Sequence, residues 1–124
     1  EEVVDQVLSG GKLAALTEHT ETDPDRIRGK LREVRRAGIA GTQEELAYGV
    51  VSVAMPIFDR NGVAVASVNC STSPARTSLE NMMASRAEVL AGARERISAA
   101  LALHPVLFHS VLGARADAQP GSTG

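Results

Sequence analysis

The stretch from Gly49 to Ser71 constrains this chain more than any other, because apolar and small polar residues alternate on both sides of Asn61-Gly62. A two-residue type I′ connection needs positive φ at both central positions, and Asn and Gly tolerate it best, so the stretch predicts a β-hairpin. Counting outward from that turn sets Arg60 opposite Val63, Phe58 opposite Val65, Met55 opposite Val68 and Ser52 opposite Ser71. Successive side chains point to opposite faces of a strand. One face therefore carries Val51, Val53, Met55, Ile57, Ala64, Ala66, Val68 and Cys70. The other carries Val50, Ser52, Ala54, Pro56, Phe58, Val63, Val65, Ser67, Asn69 and Ser71, and its hydroxyls and amide gather away from the turn. A longer loop over residues 59–62 changes the partners but keeps the grouping by parity. The apolar face is expected to pack on helices, and the polar-ended face fits a small-molecule pocket more readily than a catalytic centre.

Helical signals flank the hairpin. Val3, Val4, Val7 and Leu8 have helical spacing and stop at Gly10-Gly11, with a further turn or helix expected over Lys12 to Leu16. Asp23 as N-cap, Pro24 at the first helical position and the stripe Ile27, Leu31, Val34 predict a helix that ends at Gly38. Ile39 to Gln43 reads as a short strand leading to the acidic pair Glu44-Glu45. After the hairpin, Thr77 and Glu80 have capping-box spacing, and Leu79, Met83, Leu90, Ala93, Ile97 and Leu101 mark a long amphipathic helix closed by Pro105. Val106 to Leu112 reads as a short apolar helix and the small, polar residues from Ala114 onward as a mobile end. Helices, strand, hairpin and helix in this order make an α+β domain over residues 1–112, an antiparallel sheet with helices packed on one face, followed by a flexible tail over 113–124.

Composition narrows the function classes. With 44% hydrophobic and 23% charged residues, 124 residues suit one soluble domain with one core. No apolar run approaches the roughly 20 residues of a membrane-spanning helix, and the start at Glu1-Glu2 has no signal-peptide character, so a cytoplasmic protein without membrane contact is expected. The lone Cys70, on an apolar strand face, fits a buried small hydrophobe. A formal charge of −2 and 2% aromatic content argue against direct nucleic-acid binding, which needs a basic surface and stacking platforms. The basic run Arg26, Arg28, Lys30, Arg32, Arg35, Arg36 has Asp25 and Glu33 interleaved and reads as a solvated face at a subunit contact. His19, His104 and His109 show no ligand spacing with Cys70, so no metal site is expected, and no cofactor motif is present. No Ser-His-Asp order or nucleophile elbow supplies a base for a catalytic serine, which leaves no catalytic residue to nominate.

The run from Leu31 to Arg76 resembles the C-terminal effector-binding domain of the IclR family of bacterial transcription regulators. Arg32, Gly38, Ala40, Glu44, Glu45, Gly49, Ser52, Ala54, Pro56, Gly62, Asn69, Ser71 and Arg76 fit that family's pattern, and the likeness extends from about Thr17 to Leu101. Asn69 to Thr72 with Arg76 further resembles the branch controlling aromatic-acid and β-ketoadipate pathway genes. The resemblance implies a GAF-like fold, a small aromatic or carboxylate effector, and a homodimer or homotetramer. It implies DNA contact only through a winged helix-turn-helix outside these residues, and a strand and helix region upstream of Glu1, so that the chain is a partial domain. Carried onto this sequence, the family's ligand contacts fall on Thr42 and Gln43, Val50 and Ser52, and Asn69 and Ser71. Two other function classes compete with an effector sensor. One is a dimerisation module without ligand; the other is a small hydrolase-type enzyme using Ser52 with Glu45 or a His.

Overall fold

A computed structural model of the chain describes residues 2–104. The expected helix at Val106 to Leu112, the tail at 113–124 and the helix-closing Pro105 lie outside the described residues. The elements in chain order are α1 (Glu2–Ser9), α2 (Pro24–Ala37), β1 (Ala40–Gln43), β2 (Val51–Phe58), β3 (Ala64–Thr72) and α3 (Leu79–Leu103). The three strands form one antiparallel sheet in the order β1-β2-β3.

Local chemistry sets the boundaries of α2 as expected. The Asp23 carboxylate accepts the backbone N–H groups of Asp25 and Arg26 at 2.8 and 3.1 Å, and Gly38, in the left-handed region at φ 73°, donates its N–H to the Val34 carbonyl. The amides of Arg26 and Asp25 favour the ionised form and hold the Asp23 carboxyl below its ordinary 3.8. The start of α3 is corrected by one residue: Ser78, not Thr77, is the N-cap, and its hydroxyl accepts the N–H of Asn81. Residues 12–16 form no helix. Their chain continues irregularly into Thr17, whose neighbours find hydrogen bonds to side chains instead of to a helical ladder.

The hairpin keeps its faces over residues 51–57 and 66–72 and changes its turn. Met55 pairs with Val68 and Ser52 with Ser71 as counted, but Phe58 pairs with Ala64 across a register shift. The connection is not the type I′ turn at Asn61-Gly62. The Asp59 carboxylate accepts the N–H groups of Asn61 and Val63, both at 2.8 Å, while Gly62 donates to the Asp59 carbonyl and alone in the loop takes positive φ, at 75°. A side chain that binds two loop amides selects the wider loop, and the surplus residue is absorbed as a bulge beside the turn.

The core lies between the apolar sheet face and α3. Val51 and Val53 are wholly buried, Met55 and Ile57 nearly so, and Ile39, Met82 and Leu90 complete the interior, with Val68, Cys70, Leu79, Met83, Ala87 and Ala91 packed around it. The helical stripe is thus partly different from the one spacing predicts. Met82 is the deepest helical residue, whereas Ile97 remains 37% exposed. A 25-residue helix is about 37 Å long at 1.5 Å per residue, more than a three-stranded sheet can cover, so only its first half reaches the core.

Gly41 explains how closely α3 sits. A Cβ on Gly41 would lie 2.7 Å from Leu79 Cδ1 and 3.0 Å from Met83 Sδ. Gly41→Val is expected to destabilise the fold by about 1–3 kcal/mol through overpacking, despite the strand preference of valine. Chemical denaturation checks this, and an unchanged midpoint would mean that α3 does not approach β1 as described.

Helices α1 and α2 are joined by Arg28, whose guanidinium bonds Asp5 at 3.0 Å and Asp25 at 3.1 Å. Among the described residues, no helix is long and apolar enough to cross a membrane.

Candidate functional site

The sheet face away from α3 carries the residues that alternation grouped together. Register places Thr42 opposite Ser52 and Ser52 opposite Ser71, one row across all three strands. The Ser52 and Ser71 hydroxyls are 2.8 Å apart, and the Asn69 amide reaches the Ser71 hydroxyl at 3.5 Å. Ser52 is half-buried because it sits on the central strand, while Asn69 and Ser71 on β3 are exposed. Toward the hairpin tip the β2 residues of the same face are apolar, Ala54, Pro56 and the 43% exposed Phe58, with the exposed Ser67 of β3 opposite Pro56.

Two of the six nominated residues stand apart from this row. Gln43 pairs with Val51, a core residue, so its side chain follows the opposite parity and does not join the hydroxyls. The resemblance had paired it with Thr42 because both belong to one loop-proximal segment, but neighbours in an extended strand face opposite ways. Val50 precedes β2, is 37% exposed, and accepts the Glu44 N–H at its carbonyl at 2.7 Å.

The chemistry available is that of binding. One hydroxyl of the Ser52/Ser71 pair donates to the other, which leaves a proton and several lone pairs directed at solvent. Neither the Ser52 nor the Ser71 hydroxyl bonds a general base, since their partners are each other and Asn69. Among the described residues no cluster of three His, Cys, Asp or Glu is arranged to hold a metal ion. Glu45, considered above as a base for Ser52, is engaged elsewhere: its carboxylate bonds Lys30 at 2.9 Å.

The loop over residues 44–50 borders the row, and its anchors are residues that spacing did not single out. The Thr17 hydroxyl donates to the Glu44 carbonyl and the Thr20 hydroxyl to the Glu45 carbonyl, both at 2.5 Å. Tyr48 is 60% exposed, accepts the Glu18 N–H at its hydroxyl, and meets His19 edge to face with ring centroids 6.1 Å apart. These pairs span 25 to 30 positions in the chain, so no local pattern announces them.

The family model of the bacterial transcriptional regulator IclR C-terminal domain matches residues 1–99. The chain belongs to the IclR family. This IclR domain is 33% identical over 105 residues to the HTH-type transcriptional regulator KdgR of Escherichia coli strain K12, covering 85% of the chain and 40% of KdgR. The crystal structure of the E. coli KdgR C-terminal domain aligns at a TM-score of 0.70, with 33% identity over 79% of this chain and 59% of that one. The Pca regulon regulatory protein of Pseudomonas putida is 34% identical over 71 residues, 57% of the chain and 24% of that protein. The inducer-binding domain of an Acinetobacter PobR double mutant, in complex with 3-hydroxybenzoic acid, aligns at a TM-score of 0.73 over 79% of this chain and 56% of that one; at 23% identity the likeness is one of fold. The chain spans 40% or less of these curated relatives. The α+β fold is therefore that of the IclR C-terminal domain, and the family is one of transcriptional regulators rather than enzymes.

Proposed function

We propose that this chain is the ligand-sensing part of a bacterial transcription regulator and takes a small aromatic acid or short carboxylate on the uncovered sheet face. The observation that carries the reading is the hydroxyl row, Thr42, Ser52 and Ser71 with Asn69 beside it, continuous with an apolar floor at Ala54 and Pro56. Such a surface suits a ligand with one polar end and one apolar body. Thr42, Ser52, Asn69 and Ser71 hydrogen-bond the polar end, and Val50 supplies apolar contact. The Gln43 side chain takes no part, because of its register. The PobR inducer-binding domain, which shares this fold, is seen in complex with 3-hydroxybenzoic acid and supports the aromatic acid, and a short carboxylate stands beside it in the proposal.

In this reading the effector acts by binding two arrangements of the assembled regulator with different affinity, and DNA contact belongs to a winged helix-turn-helix outside these residues. The regulator assembles as a homodimer or homotetramer in the cytoplasm. The test is thermal unfolding against a panel of aromatic acids and short dicarboxylates. A ligand at 100 times its dissociation constant adds roughly 2.7 kcal/mol to folding. Ser52→Ala is expected to weaken the best compound about tenfold, through the loss of one hydrogen bond. A panel without any selective shift would refute the sensor reading.

A further inference from the structure

The segment between α1 and α2 is hydrogen-bonded to the loop over residues 44–50, which opens on a residue in the left-handed region. Glu44 has φ 57°, the one positive value among the described non-glycine residues. Left-handed backbone crowds a Cβ, and it persists where surrounding contacts over-determine it. Inside the loop, the Glu44 N–H donates to the Val50 carbonyl at 2.7 Å, and the Glu44 carboxylate accepts the Gly49 N–H at 2.8 Å.

The external contacts are more specific. A threonine hydroxyl has one proton, and both Thr17 and Thr20 direct theirs at consecutive loop carbonyls, Glu44 and Glu45. Thr17 Oγ1 also accepts the His19 N–H, Thr20 Oγ1 accepts the N–H groups of Leu16 and Thr17, and the two hydroxyl oxygens lie 3.3 Å apart. A carbonyl oxygen can only accept, so each hydroxyl is the donor to its loop carbonyl. Thr17 is 7% exposed, so water cannot substitute for its hydroxyl. The loop so held joins Thr42 at the end of β1 to Ser52 near the start of β2.

We propose that Thr17 and Thr20 are positioning residues of the effector site, their hydroxyls holding the 44–50 loop in the shape that sets Val50 at the border of the Thr42–Ser52–Ser71 row. The consequence for ligand affinity rests on the effector reading above, whereas the consequence for the loop does not. Hydrogen–deuterium exchange on the whole chain without ligand decides the latter. Thr20→Val keeps the shape and removes the proton; Thr20→Ser keeps the hydroxyl. Thr20→Val is expected to speed exchange over residues 44–50 about tenfold while β2 and α3 amides keep their protection, and Thr20→Ser is expected to restore the parent rate. Unchanged loop exchange overturns the proposal, and so does acceleration across every element, which would make the hydroxyl a support of the whole fold.

Affinity for 3-hydroxybenzoate and for succinate is measured on the same three proteins. About fivefold weaker binding in Thr20→Val, rescued in Thr20→Ser, supports the positioning role at the site, and equal affinity in all three overturns it there. If neither probe nor any panel compound binds the parent chain, the effector reading fails, and loop exchange still decides whether these hydroxyls hold the loop.

Discussion

Met82→Ala is expected to remove about 2–5 kcal/mol of folding stability. Met82 is 1% exposed and has the greatest volume among the wholly buried side chains, which also include Val51 and Val53. Truncation loses the transfer free energy of the methionine and leaves a cavity that a β-sheet on one side and a helix on the other cannot readily close. Domains of this size have about 5–15 kcal/mol in total, so the variant sits near the limit of folding. Its melting temperature should fall by roughly 8–40 °C, at about 4–8 °C per kcal/mol. Met82→Leu conserves volume and is expected to cost under about 1.5 kcal/mol. Denaturant unfolding separates the two variants, with a shifted midpoint at constant slope for Met82→Ala. A loss below about 1 kcal/mol would contradict the seating of α3 on β2.

Ser71→Leu is expected to abolish stabilisation by the effector while leaving the fold and the assembly intact. Ser71 is exposed on β3, so the free protein should change by only about 0.5 kcal/mol. The leucine removes the hydroxyl that bonds Ser52 and fills the space where the polar end of a ligand would lie. The roughly 2.7 kcal/mol expected from a ligand at 100 times its dissociation constant should vanish. Sedimentation run beside thermal unfolding distinguishes the competing module reading. A changed oligomeric state with no ligand effect in the parent chain would mean that this face is occluded by another subunit rather than occupied by an effector.

Much of the architecture was legible because its causes are local. Helix α2 is bounded by Asp23, Pro24 and Gly38, whose side chains and backbone preferences act within a few residues. The buried face of β2 follows from alternation of Val51, Val53, Met55 and Ile57, and the pairing of Ser52 with Ser71 follows from counting along two strands. The turn was misread, since Asp59 competes for the loop amides as strongly as Asn61-Gly62 favours a tighter bend. The α3 stripe was only partly read. Periodicity identifies an apolar side but not where along a 25-residue helix a narrow sheet ends.

What the sequence by itself determined is the six elements α1, α2, β1, β2, β3 and α3, the two faces of the hairpin away from its tip and the membership of Ser52, Asn69 and Ser71 in one group. Periodicity, capping and parity depend on residues near one another in the chain, and these are written directly in the order of amino acids. Only the tertiary structure decided that Gln43 leaves the hydroxyl row, that Leu79 and Met83 close over Gly41, and that Thr17 and Thr20 anchor the loop at Glu44 and Glu45. Each of these depends on how separate elements approach in space, across separations of up to 38 residues for Gly41 and Leu79, and that approach is set by packing of the whole core rather than by any local pattern.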